Sequence, residues 1–228
     1  MKKIIIAIDG PAASGKSTTA KLVADQLGYL HIDTGAMYRA MALKVLRSKI
    51  SPTDSASIAR LAGSTTVRLV HNPGQKQKLR VELDGHEVSD EIRLPEVTNI
   101  VSPVSAIQEV RALMVKEQRA MGKDGGIVLE GRDIGTVVFP NAELKIFMKA
   151  EPRERALRRK KEFDAKGVAV TLDQLEQEIV ERDTIDSQRE ISPLRKADDA
   201  VEVDTTNLTI EQQVAFIVNK AKEIINTR

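Results

Sequence analysis

The sequence has no cysteine and no tryptophan. Without thiols there is no disulfide scaffold, no thiolate metal site and no cysteine nucleophile. Two Tyr and four Phe in 228 residues leave little material for the aromatic platforms on which RNA-binding proteins stack bases. An excess of one charge is missing too. Lys and Arg number 35 against 33 Asp and Glu, a formal +2, whereas a dedicated nucleic-acid binder carries a marked basic surplus. The longest apolar run, residues 4–8, is far too short to span a bilayer. It also lacks the h-region and cleavage site of a secretory signal. The three histidines, His31, His71 and His86, are scattered with neither metal-ligand nor triad spacing. The absences leave a soluble α/β chain expected in the cytoplasm, without membrane or nucleic-acid partners. It is long enough to bury its own core.

Hydrophobic patterning places the elements. Ile4-Ile5-Ile6-Ala7-Ile8 reads as a strand buried on both faces, as parallel sheets require. Asp9-Gly10-Pro11 ends it, and a helix is expected from Ser17, with Ala20, Val23, Ala24 and Leu27 along one face. Gly28 sits where a left-handed C-terminal cap belongs, and Tyr29-Leu30-His31-Ile32 reads as a second strand. Residues 127–129, 144–148 and 200–203 supply three more strands, separated by helical patterns, so the sheet is parallel with covering helices. Thr209 and Gln212 make a capping box for a C-terminal helix striped by Ile210, Val214, Ile217, Val218 and Ala221. One stretch breaks the alternation. Residues 67–70, 79–83 and 87–88, with an Asp84-Gly85 turn, read as an inserted antiparallel meander.

Gly10-Pro11-Ala12-Ala13-Ser14-Gly15-Lys16-Ser17, followed by Thr18, matches G-x-x-x-x-G-K-[ST]. By composition this string arises by accident in about one such chain in a hundred. Here it also lies between a buried strand and a helix, the context that gives the motif meaning. Backbone N–H groups of such a loop wrap a polyphosphate, and the helix N-terminus adds partial positive charge. Lys16 would reach the β- and γ-phosphates, and the Ser17 hydroxyl would ligate Mg²⁺.

No Asn-Lys-x-Asp run is present to read guanine, which argues against a switch-type GTPase. Phosphoryl transfer to an anionic acceptor depends on positioning and charge neutralisation rather than on a strong base, so clustered arginines are informative. They fall at Asp33-Thr34-Gly35-Ala36-Met37-Tyr38-Arg39, at Gly131-Arg132-Asp133, in residues 151–161 and in residues 181–189. The first three follow expected parallel strands, where ligands bind in open α/β sheets. Taken singly, each arginine could equally be a solvated helix face or an ion-pair partner.

Residues 8–18, 33–39 and 181–189 resemble the bacterial cytidylate kinases, a branch of the phosphate-loop nucleoside monophosphate kinases. So does Glu130-Gly131-Arg132-Asp133-Ile134-Gly135-Thr136-Val137-Val138-Phe139-Pro140, together with the strand-rich insertion. The resemblance implies a three-layer αβα core with a central parallel sheet over 1–32, 112–150 and 170–228. It adds a monophosphate-binding subdomain over 33–111, bearing the insertion at 64–92, and a helical lid over 151–169. It implies ATP-dependent phosphorylation of CMP, and of dCMP, by a monomer with Mg²⁺. Thr34, Arg111, Asp133 and Arg189 would read cytosine, whose N4 amino group donates where uracil O4 accepts. Arg39 and Arg132 would hold the acceptor phosphate with the fork that guanidinium geometry allows. Ser102, Arg182 and Asp186 match sugar-binding positions, and Tyr38 would be a wall residue. Among the lid arginines, Arg155 and Arg159 are expected at the transferred phosphoryl group and Arg158 at ATP. The role of Glu130 stays open between an outer Mg²⁺ partner and a strand-end charge. The insertion is expected to be structural or to close over substrate.

Overall fold

The computed structural model describes residues 3–72, 75–165 and 167–227, with backbone only for 75–78. Five parallel strands form the main sheet in the order β2-β6-β1-β7-β8. They are β1 (Ile5–Asp9), β2 (Leu30–Asp33), β6 (Ile127–Gly131), β7 (Leu144–Lys149) and β8 (Val201–Asp204). Each lies within two residues of its expected position.

Alternation along β1 sorts the layers. Ile4, Ile6 and Ile8 pack against Ala20, Val23 and Ala24 of α1 (Lys16–Leu27) and Val214, Ile217, Val218 and Ala221 of α8 (Ile210–Asn226). Ala7 faces the opposite side with Ile127, Leu129, Ile134 and Val138. There the sheet is covered by a π-helical turn, Ile134–Val138, and by α5 (Gln108–Met121). Burying one such isoleucine is worth about 1.5–3 kcal/mol, so the stripes fix the layering. The start of α8 follows the sequence: Thr209 and Gln212 form the reciprocal capping box. At α1 the structure differs slightly. The helix starts at Lys16, one residue before the expected Ser17, and its N-cap is left-handed Gly15 without any side-chain cap. The Ser17 hydroxyl is committed elsewhere.

A second core joins α2 (Thr34–Arg47), α3 (Ser55–Gly63), α4 (Pro95–Ser105) and α5 to the meander. The meander is β3 (Val67–Asn72), β4 (Gln75–Leu83) and β5 (His86–Glu87), an antiparallel sheet of three. A third, small cluster of Ala156, Leu175 and Ile179 holds α6 (Pro152–Asp164) to α7 (Leu172–Gln188). Among the described residues, no helix is long and apolar enough to cross a membrane.

Register decides where the chemistry lies. Asp9 pairs with Gly131, Ile8 with Glu130 and Asp33 with Glu130. The carboxyl ends of β1, β2 and β6 therefore finish in one row, and the three following segments start side by side.

Candidate active site

The segment after β1 is the phosphate loop. Ala13 and Gly15 have positive φ, 57° and 91°, and alternation of this kind makes a concave nest of amides. The outward carbonyls are held from behind. Ala12 O accepts from Arg155 Nη1 at 3.1 Å, and Ser14 O accepts from Thr205 Oγ1 at 2.9 Å and Arg158 Nη1 at 3.4 Å. Gly10 is required by contact: a Cβ there would lie 2.2 Å from Met148 O, so the loop packs backbone-to-backbone against β7. Lys16 is buried and donates to Pro11 O at 2.9 Å. Burial foremost, then the Arg132 charge, brings its amine down to about 7. The Ser14 hydroxyl is buried inside the loop without a hydrogen-bond partner. Such an orphaned donor suits a loop built around an anion.

Ser17 Oγ donates to Glu130 Oε2, and the other oxygen of Glu130 meets His31 Nε2 at 3.0 Å. No group of three or more carboxylates or histidines able to hold a metal occurs among the described residues. Mg²⁺ is commonly bound through one or two protein oxygens plus substrate phosphates. The Ser17–Glu130 pair provides such a donor set beside the loop.

The segment after β2 starts α2. Asp33 caps the helix by accepting from Ala36 N at 3.0 Å and pairs with Arg39 Nη2 at 2.8 Å. Burial opposes its charge, but Arg39, His31 and the Ala36 amide together hold its carboxyl below the usual range. Tyr38 on the same helix stands on the cleft wall, with the Arg111 guanidinium 5.3 Å from its ring centre. Burial raises its phenol to about 12 against the opposing charge of Arg111.

After β6, Gly131 runs against Thr34: a Cβ would meet Thr34 Oγ1 at 2.8 Å. Thr34 Oγ1 itself donates to Glu130 O at 2.6 Å. Asp9 at the end of β1 accepts from the amides of Ile134 and Gly135 at 2.8 and 2.7 Å. Burial raises its carboxyl to about 6 despite these two donors. The turn so held presents Arg132 and Asp133. Asp133 is buried, bonded to Arg111 and 3.7 Å from Arg189 Nη2. Arg132 Nε donates to Asp186 Oδ2 at 2.8 Å. Although burial opposes it, the charges of Arg132 and Arg182 hold the Asp186 carboxyl below its usual range.

These segments enclose one cleft of about 1530 Å³, lined by the phosphate loop, Thr34, Tyr38, Arg39, Ser102, Arg111, Arg132, Asp133, Arg158, Arg159, Arg182, Asp186 and Arg189. Arg182 feels Arg132, Arg159 and Arg39, and burial with this company lowers it to about 10. Nε of Arg39, Arg159 and Arg182 are buried without a hydrogen-bond partner. Lys16 and four arginines thus face a shared space that an anion would neutralise.

Three expected site residues do not line this cleft: Gly10 and Pro11, at the start of the phosphate loop, and Arg155. Arg155 was expected with Arg159 at the phosphoryl group, because positions 155 and 159 share a helix face. It is instead buried between α6 and α7, donating to Ala150 O at 2.9 Å and Ala12 O and pairing with Asp183 Oδ2 at 2.5 Å. Its burial follows from α6 packing on α7, a contact that helical spacing within α6 does not reveal. Sequence reasoning also passed over Asp9, His31 and Asp33, and left Glu130 open. The available signal was register, because all four lie at or near the carboxyl ends of paired strands.

The model of the family described as cytidylate kinase matches residues 6–223. A cytidylate kinase of Chloroherpeton thalassium is 53% identical over 99% of this chain and 96% of its own length. One from Caldicellulosiruptor bescii is 52% identical over 99% and 98%. Among solved structures, a shikimate kinase from Bacteroides thetaiotaomicron covers 99% of the chain and 100% of its own, with a TM-score of 0.50 and 10% identity. That last likeness concerns the fold alone.

Proposed function

The chain belongs to the cytidylate kinase family, and from that premise we propose that it moves the γ-phosphoryl group of ATP to CMP, and to dCMP, giving ADP and the pyrimidine diphosphate. The observation that carries this reading is the cleft that brings together a phosphate loop, Asp133 and five mutually facing cations, Lys16 of the loop among them.

On the donor side, backbone N–H groups of residues 12–18 cradle the triphosphate and Lys16 bridges its β- and γ-oxygens. Arg158, fixed by Thr205 O at 2.6 Å, flanks the loop where ATP lies, and Arg159 reaches the transferred group. Mg²⁺, held by Ser17 with Glu130 behind it, would neutralise charge on the same phosphates. Arg155 acts at one remove, by fixing the loop carbonyl of Ala12.

On the acceptor side, Arg39 and Arg132 grip the CMP phosphate, while Arg182, Asp186 and Ser102 face the sugar. Asp133 accepts from cytosine N4, with Arg111, Arg189 and Thr34 around the base. Uracil would set its O4 acceptor against a buried carboxylate, and such mispairing is penalised because two acceptors face each other and O4 finds no donor there. An oxygen of the CMP phosphate then attacks the γ-phosphorus in line as the ADP oxygen leaves. The arginines and Lys16 spread the charge, and closure of α6 and the meander over the cleft keeps water out.

Coupled ADP release across CMP, dCMP, UMP and AMP tests the reading. CMP and dCMP are expected to lead. UMP or AMP running ahead would overturn the base assignment while leaving the kinase, and no transfer to any acceptor would overturn both.

A further inference from the structure

His31 has no part in the division of labour above, yet it touches the group behind the loop serine. It lies on β2, where register sets it beside Val128 and sets Asp33 beside Glu130. His31, Val128 and Glu130 thus occupy the sheet face that α1 covers, and the imidazole reaches along the sheet to Glu130. Nε2 lies 3.0 Å from Oε1. An ionised carboxylate only accepts, so Nε2 carries the proton in this bond. The second carboxylate oxygen takes the Ser17 hydroxyl. Glu130 is buried and His31 half-buried on the cleft wall.

The bond matters because Glu130 has a rival partner. Lys16 is close enough for Glu130 to act on its charge. A carboxylate released toward that amine would neutralise the cation needed by the phosphates and abandon the serine. The imidazole ties one oxygen down, leaving the other on Ser17.

We propose that His31 is a positioning residue for divalent-cation binding, holding Glu130 on the Ser17 hydroxyl and away from Lys16 so that a phosphate-bound Mg²⁺ meets a preset pair of oxygens. It rests on Ser17 and Glu130 being the cation-facing pair. Hydrogen-bond partners of this outer kind commonly change metal affinity by 10–100-fold.

Calorimetric affinity for the non-hydrolysable β,γ-imido analogue of ATP, in EDTA and in excess Mg²⁺, separates the possibilities without turnover. Wild type should bind more tightly with Mg²⁺. His31→Leu should lose about tenfold of that enhancement and keep its affinity in EDTA. His31→Gln, which retains a side-chain N–H, should recover most of it. Enhancement unchanged in His31→Leu would overturn the role of His31 alone. Equal losses with and without Mg²⁺, or no recovery with Gln, would overturn it in favour of general damage to the site. If wild type itself shows no enhancement, the Ser17–Glu130 assignment falls first, and the role of His31 with it.

Discussion

The two halves of the cleft are made differently. In the proposed reading the donor half is built mainly on one continuous segment, residues 10–18, through backbone groups, Lys16 and Ser17, with Arg158 and Arg159 beside it. The acceptor half is gathered from α2, α4, α5, the turn after β6 and α7, and its work is done by side chains in buried ion pairs. A backbone cradle needs glycines and one close approach, such as Gly10 against Met148 O. A base reader needs charges oriented from several directions, and each must be paired before substrate arrives, because an unpaired buried charge is costly. The Arg111–Asp133 and Arg132–Asp186 pairs meet that need. In the proposed reading the donor phosphates are held mainly by one local segment, whereas the acceptor's phosphate and base are held by an assembled one.

The largest expected effect tests the local half. Lys16→Met should reduce transfer to CMP on the order of 10³-fold, measured by coupled ADP release, with the melting temperature preserved or raised because a desolvated amine is removed. A loss under tenfold would mean that the backbone cradle suffices alone. Next, the two arginines expected to act together should separate. Arg155→Met, which leaves Asp183 and two carbonyls without their donor, should cost about 3 kcal/mol of stability in a denaturant titration. Arg159→Met should change stability by only about 0.5 kcal/mol while slowing transfer on the order of 10²-fold. Similar stabilities for the two would put Arg155 back with the phosphate-facing groups. The smallest effect tests the assembled half. Asp133→Asn should narrow the preference for CMP over UMP by about tenfold, with ATP affinity nearly unchanged, since an amide can turn its N–H₂ toward uracil O4. An unchanged preference ratio would remove Asp133 from the base-reading set.

The same contrast explains what could be read in advance. The five strands, the meander and the α8 capping box were legible because period and turn chemistry are local signals. The phosphate loop was legible because its conformation is set by glycines at fixed spacing. Arg111 was ambiguous: a helix pattern cannot tell a solvated arginine from one buried under Tyr38 and bonded to Asp133. Family resemblance supplied that role where periodicity had nothing to say. Arg155 failed for the opposite reason, since its motif context suggested the phosphates while the packing of α6 on α7 turned it inward. Asp9 and Glu130 needed the pairing of β1, β2 and β6, and register is a property of the folded sheet.

Lys16 sits near 7 because it is buried and shares its surroundings with Arg132. That downward shift favours the uncharged amine in the free protein more than in an ordinary lysine. A phosphate anion beside it favours the charged form, so nucleotide binding draws protons from the solvent. The heat of binding then includes the ionisation heat of whichever buffer supplies them, and the affinity for phosphates weakens as pH rises past 7. Burial, with cations crowded beside it, thus predicts proton uptake when nucleotide binds, to be checked by calorimetry in buffers of different ionisation heat.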